Sequence, residues 1–228
     1  MQSRRLVIAI AACLIAIGSI SGCAKKTASG PVTTDDMSMG DLKSPVTVIE
    51  YASVACPYCA KFNNEIFPDF KKKFIDTNQI HYVSREMLTH NGNLAATGFL
   101  LARCAGPDNY FKVVDAIYHA RDAMEASGQY GEGLLKIAKS VGMTEAQFDA
   151  CTQDPKAIEA LKARVQNYMT VDGITSTPSF IINGKPLNTP DLPTIADFDK
   201  AIAEARAAAA NPGATPAAAP AKAATPTP

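Results

Sequence analysis

Cys56 and Cys59, separated by Pro57 and Tyr58, are the side chains of this sequence best suited to chemistry. Thiols three residues apart on a helix share one face across one turn, so the pair can close a small, exchangeable disulfide. The residues before them, Val46 to Ser53, form an apolar, β-branched run that reads as a strand. Beyond Cys59 the pattern turns helical: Phe62, Ile66, Phe67 and Phe70 recur at spacings of three and four. Cys56 is therefore expected where a strand has ended and a helix begins, with Pro57 at the first helical position, where its missing N–H costs nothing. Unpaired N–H groups and the helix dipole would stabilise a thiolate there and lower the Cys56 pKa. A structural disulfide or half of a zinc site are the alternatives. A zinc site of this kind wants a second closely spaced pair of Cys or His, and the sequence offers none. No metal and no cofactor beyond the Cys56–Cys59 disulfide is expected.

A second candidate stands on the strand. Glu50 interrupts Val46, Val48, Ile49 and Tyr51, where a carboxylate is out of place if the strand is central. Buried, it would have a raised pKa; on an edge strand it would simply face water.

The elements that hold these residues occupy part of the 228-residue chain. Arg4 and Arg5 precede an apolar stretch from Leu6 to Ile17, and small residues come next, which reads as a secretory signal over residues 1–22. Ile20-Ser-Gly-Cys23 closes it and resembles a bacterial lipobox, which would place lipid on Cys23 and anchor the protein to a membrane of the cell envelope, facing the periplasm or extracytoplasmic space. Cys13 leaves with the signal. Cys56, Cys59, Cys104 and Cys151 remain, an even number that reads as two disulfides in an exported protein. Cys104 and Cys151 lie among apolar helical neighbours, and a structural disulfide between them is expected; two buried free thiols are the alternative. The full chain carries 22 basic and 22 acidic residues, and loss of Arg4 and Arg5 leaves the mature protein near −2. That balance gives no basis for nucleic-acid binding.

Residues 23–43 are small and polar and are expected to be a flexible tether. A domain comes next, over 44–208. It opens with a strand at Val46–Ser53, a helix to about Asp76 in which Pro68 forces a kink or a split, and a strand at Ile80–Met87. Residues from about 94 to 170 carry five helical patterns and no strand signal. Thr177 to Ile182 regains strand character, and Asn183-Gly184 is a strong hairpin signal. A last helix runs over Ile195–Ala208. The remainder, 209–228, is alanine- and proline-rich and cannot bury a core.

This order, β-α-β, then five helices, then a hairpin and a helix, resembles an α/β thioredoxin fold with a helical insertion domain. More narrowly the chain resembles the DsbA-like thiol-disulfide oxidoreductases of the bacterial envelope. The resemblance rests on Ser44-Pro45-Val46, Glu50-Tyr-Ala-Ser53, Cys56-Pro-Tyr-Cys59 and Gly173-Ile-Thr-Ser-Thr-Pro-Ser-Phe-Ile-Ile-Asn-Gly184, and covers about 40–208. It implies that Cys56 is an exposed nucleophile and Cys59 the buried resolving thiol. It implies that Pro178 is a cis-proline opposite them, presenting the backbone of Thr177 to a substrate peptide, with Pro57 and Tyr58 beside it. It also implies that Glu50 helps move the proton of the resolving cysteine. Tyr58 stands where the best-known oxidase of the family has His, which removes one source of thiolate stabilisation. Thr177 before the proline is similar to the isomerase branch.

A monomer is expected that introduces disulfides into thiol-containing exported proteins by mixed-disulfide exchange, with a membrane redox partner resetting the pair. A reductase or isomerase running the same exchange backwards is the runner-up. A redox-inactive or metal-handling binding lipoprotein is the reading from another class.

Overall fold

The computed structural model describes residues 29–211. The signal over 1–22, the lipidation site Cys23 and the tail beyond 211 lie outside the described residues. Five strands form one sheet in the order β1-β3-β2-β4-β5. The central β2 (Thr47–Ala52) runs parallel to β3 (His81–Glu86) and antiparallel to β4 (Ser179–Ile182). β4 turns into β5 (Lys185–Pro186) through Asn183 and Gly184, both at positive φ, the turn that an Asn-Gly pair favours.

Side chains alternate across β2. Val48, Glu50 and Ala52 point to one face. Ile49 and Tyr51 point to the other, where they pack with Val83, Tyr168 and Ile181. The first face carries α1 (Pro57–Glu65), α2 (Phe67–Phe70) and the C-terminal α8 (Ile195–Ala210), whose Phe62, Phe70 and Phe198 close over Val48, Phe180 and Ile182. The helix expected to reach Asp76 breaks at Ile66, because Pro68 cannot donate to the carbonyl four residues back and its ring crowds that turn. A π-helical turn, Lys71–Ile75, finishes the segment.

The insertion is five helices: α3 (Gly92–Cys104), α4 (Pro107–Ser127), α5 (Tyr130–Ser140), α6 (Glu145–Thr152) and α7 (Pro155–Thr170). Asn91 starts α3 as its cap: its side chain accepts from the Leu94 N–H. Gly98 on α3 lies against the turn between β2 and α1, where an added Cβ would come within 2.9 Å of Val54. Cys104 and Cys151 are joined as a disulfide between α3 and α6, with their Cα atoms 6.3 Å apart.

The flexible tether expected over 23–43 is corrected from residue 29 onward. Met37–Gly40 forms β1, an edge strand antiparallel to β3. The reason is a buried cation. Arg85 on β3 is 3% exposed, and the N-terminal segment supplies its partners. Asp36 takes bonds from its Nε and Nη2 at 3.0 Å each, and the carbonyls of Gly30 and Pro31 accept at 3.3 and 2.9 Å. Asp172, from outside that segment, accepts from Arg85 Nη1 at 3.0 Å and from the Gly30 N–H at 2.6 Å. A buried guanidinium left without these acceptors would be costly, so a segment that looks like linker by composition is fastened to the domain.

Candidate active site

α1 starts at the residue expected from the sequence. Cys56 is the residue before the helix, with extended backbone, and Pro57 is the first helical residue. Cys56 Sγ lies 3.3 Å from the carbonyl oxygen of Thr177, and the Thr177–Pro178 peptide bond is cis. The Thr177 hydroxyl is held by the Thr89 hydroxyl at 2.7 Å, and the Ser53 hydroxyl donates to the Thr89 carbonyl at 3.1 Å. Ser53 also caps the turn, accepting the Ala55 N–H at 3.3 Å. The structure thus brings Cys56, Cys59, Thr177 and Pro178 together. Pro57 and Tyr58 stand exposed at the rim, Tyr58 above a groove of about 520 Å³ lined by Thr175, Thr177, Pro178 and Pro193.

One expectation fails: Cys56 is not exposed. Both cysteines are 0% accessible. Sγ of Cys56 turns inward under the Thr177 carbonyl, so the solvent-facing positions of the turn are left to Pro57 and Tyr58.

The two thiols titrate in opposite directions. Cys56 is held down to about 5, first by the hydrogen bond from the Cys59 thiol, against the opposing effect of burial, then by the Thr177 side chain and the backbone N–H groups of Cys59 and Tyr58. The helix-start N–H groups therefore contribute, but less than the second thiol. The contact to the Thr177 carbonyl belongs to the thiol rather than the thiolate and resists ionisation. Cys59 is pushed well above the usual thiol range, mostly by burial, then by its bond to Cys56 and the charges of Cys56 and Glu50. A dithiol whose members differ this way has one ready nucleophile and one proton-holding partner.

Glu50 is buried on the cysteine side of β2 and is 5% exposed. Its pKa is raised to about 7 by burial, which outweighs the hydrogen bond donated by the Tyr82 hydroxyl. Sequence reasoning misses Tyr82, Thr89 and Ser53 as members of the site. Tyr82 has a weak signal, an aromatic in alternation with Ile80 and Ser84, but its meeting with Glu50 depends on strand register: Val48 pairs with Tyr82 and Glu50 with Ser84, making Tyr82 a diagonal neighbour on the same face. Cys104 and Cys151 are bonded to each other within the insertion, between α3 and α6. Among the described residues, no group of three or more His, Cys, Asp or Glu could hold a metal ion, and no helix is long and apolar enough to cross a membrane.

The family model described as Thioredoxin matches residues 32–204. A Rickettsia bellii protein named "Putative protein-disulfide oxidoreductase" is 36% identical over 177 residues, 77% of this chain and 68% of that one. Among solved structures, Wolbachia pipientis alpha-DsbA1 superposes with a TM-score of 0.70 at 24% identity, covering 78% of this chain and 94% of that one. Oxidised BdbD from Bacillus subtilis does so at 0.63 and 20%, covering 75% and 93%.

Proposed function

The chain belongs to the DsbA-like thiol-disulfide oxidoreductases of the thioredoxin superfamily, and we propose that it acts in the cell envelope, introducing disulfides into exported proteins through Cys56 and Cys59. A substrate thiolate attacks Cys56 Sγ of the oxidised pair. The Cys56–Cys59 bond breaks, and Cys59 leaves as a thiolate that takes a proton from Glu50. A second substrate thiolate then attacks the substrate sulfur of the mixed disulfide, and Cys56 leaves as a thiolate. Two electrons have moved from substrate to enzyme. A membrane redox partner takes them and restores the disulfide.

The opposite pKa shifts of the two thiols carry this reading. A Cys56 pKa of about 5 lies between the values of about 3.5 and about 7 that accompany strong oxidants and thioredoxin. Stabilising the thiolate stabilises the reduced form, which makes the disulfide the better electron acceptor. The groove beside Thr177 would hold the substrate chain, whose backbone N–H can replace the Cys56 thiol at the Thr177 carbonyl.

Lipid on Cys23 would hold the domain close to its membrane. Arg85 fastens the chain from Gly30 onward, so six residues lie between that anchor and the folded body, a span of about 25 Å at full extension.

Cys59→Ser should trap a disulfide-bearing model substrate, because the Cys56 thiolate attacks its disulfide, one substrate sulfur leaves as a thiolate and no second enzyme thiol releases the other; the oxidised wild-type protein should oxidise the reduced form of that substrate stoichiometrically. Equilibration with glutathione should give a potential nearer about −120 mV than about −270 mV. A value at the thioredoxin end would make the protein a reductase.

A further inference from the structure

Asp172 is a buried acid that the exchange chemistry does not use. It stands two residues beyond the end of α7, at the start of the stretch that leads to Thr177 and the cis-proline. Its side chain is 0% exposed, and three separate parts of the chain donate to it. Oδ2 accepts from the Tyr51 hydroxyl of β2 at 2.8 Å and from Arg85 Nη1 of β3 at 3.0 Å, and Oδ1 accepts from the Gly30 N–H at 2.6 Å. Arg85 Nη1 also donates to the Tyr51 hydroxyl at 2.9 Å, so the phenol, the guanidinium and the carboxyl group close a triangle. Exchanging a buried pair of this kind for apolar side chains of equal volume is often neutral for stability. A fully satisfied buried cluster does something else: it fixes the position of the chain that carries it. Here that chain borders the groove of about 520 Å³ beside the thiols, which is lined by two stretches, 172–181 and 186–193. Residues 173–178 lie between α7 and β4, outside any helix or strand. Downstream, β4 and the Thr89 hydroxyl on Thr177 hold them. Upstream they are held by Asp172 and by Ile174, whose N–H donates to the Tyr168 carbonyl at 3.1 Å and whose side chain is buried in one cluster with Tyr51 and Tyr168.

Resting on the exchange reaction proposed above, we propose that Asp172 is a positioning residue for the substrate chain. Bonded to Tyr51, Arg85 and Gly30, it fixes the upstream end of the cis-proline loop, and with it the backbone against which a bound peptide pairs. The partner it serves is an extended segment of an unfolded polypeptide, whose main-chain groups run along 173–177. A small dithiol needs only the sulfur of Cys56 and draws nothing from this loop. Tyr51 points to the face of β2 opposite Glu50, so the cluster acts through the loop and not through the thiols. The Gly30 bond brings the N-terminal segment into the same site. The fit there is close, since an added Cβ at Gly30 would meet Oδ1 of Asp172 at 3.3 Å. The segment that precedes β1 therefore helps to shape the groove that takes the substrate.

Two substrates separate this role from a merely structural one: an unstructured peptide carrying two thiols, and dithiothreitol. Each is mixed in excess with the oxidised full-length protein. In Asp172→Asn the peptide concentration that gives half the maximal rate should rise about tenfold. The rate at saturating peptide, the rate with dithiothreitol and the alkylation midpoint of Cys56 should stay near those of the wild type. Tyr51→Phe keeps the packing and removes one donor, so it should act in the same direction by about threefold, and it serves if Asp172→Asn does not fold. Gly30→Pro deletes the N–H that Oδ1 accepts and should also raise the half-saturating concentration; an unchanged value there overturns the part given to the N-terminal segment. An unchanged half-saturating concentration in a folded Asp172→Asn or Tyr51→Phe protein overturns the role of Asp172. So do peptide and dithiothreitol rates that fall together, whatever the urea midpoint does. The dithiothreitol reaction of the wild type reports the exchange chemistry by itself. Its absence overturns that chemistry and this role with it, whereas its presence beside an unchanged peptide response overturns this role alone.

Discussion

Two corners of the sheet bury the same residue types and treat them in opposite ways. At the β2–α1 corner, among the described residues, Glu50 meets no cation and has Tyr82 as its one hydrogen-bond partner, while the Cys56 and Cys59 thiols titrate in opposite directions. Where β3 meets the insertion, Glu86 is 0% exposed but holds two arginines. Arg103 donates to it from Nε, and Arg164 from Nε at 3.1 Å with Nη2 at 3.0 Å. Cys104 there is bonded to Cys151. A carboxylate between two guanidiniums ties three elements together. A carboxylate beside a phenol and two thiols sits near neutrality and can pass a proton. Satisfied groups build the frame, and groups left short of partners do the chemistry.

The widest separation between the corners should appear when the frame is cut. Cys104→Ala with Cys151→Ala opens a loop of 47 residues, for which chain entropy gives up to about 4 kcal/mol of lost stability. Urea denaturation should register that loss, and the alkylation profile of Cys56 should stay where it was. Glu86→Gln comes next. It strands two arginines that are 23% and 19% exposed, so the cost belongs near the low end for a broken buried pair, about 3 kcal/mol. Equal exchange rates in the folded fraction of this variant would keep Glu86 out of the chemistry.

Glu50→Gln should move stability the other way. The Glu50 pKa is about 7 in the fold against 4.5 in the unfolded chain. Between those values the native state holds a proton that the unfolded state has lost, so stability falls as pH rises from 4.5 to 7 and is level above. Removing the ionisable group should therefore gain at most about 3 kcal/mol at pH 8 and nothing at pH 4, while disulfide exchange slows. A pH-independent effect would overturn the assignment of Glu50 as a group that titrates near neutrality. The smallest effect is local to the thiols. Cys59→Ala removes the leading cause of the low Cys56 pKa, so the alkylation midpoint should climb from about 5 towards the ordinary thiol value without loss of fold. A midpoint that stays near 5 would return the effect to the helix start.

The chemistry is legible in the sequence where it is local. Cys56-Pro-Tyr-Cys59 sits at a strand–helix junction because an apolar run gives way to three- and four-residue spacing there, and Asn183-Gly184 turns where such a pair turns. The five helices of the insertion are legible for the same reason, since each buries a periodic stripe. Glu50 stands out because a carboxylate in an apolar run is an anomaly along the chain itself. Its partner does not stand out. Tyr82 reaches Glu50 through a strand register, and Thr89 reaches Thr177 across 88 residues, distances over which neither spacing nor composition carries information. The N-terminal segment is the plainest case. Gly30, Pro31 and Asp36 look like tether, and only the burial of Arg85 on β3 decides that they are bound, because a guanidinium removed from water must find its acceptors wherever the fold can bring them. In the same way the inward turn of Cys56 is decided by the Thr177 carbonyl above it, a contact set by how the fold brings the cis-proline loop over the start of α1.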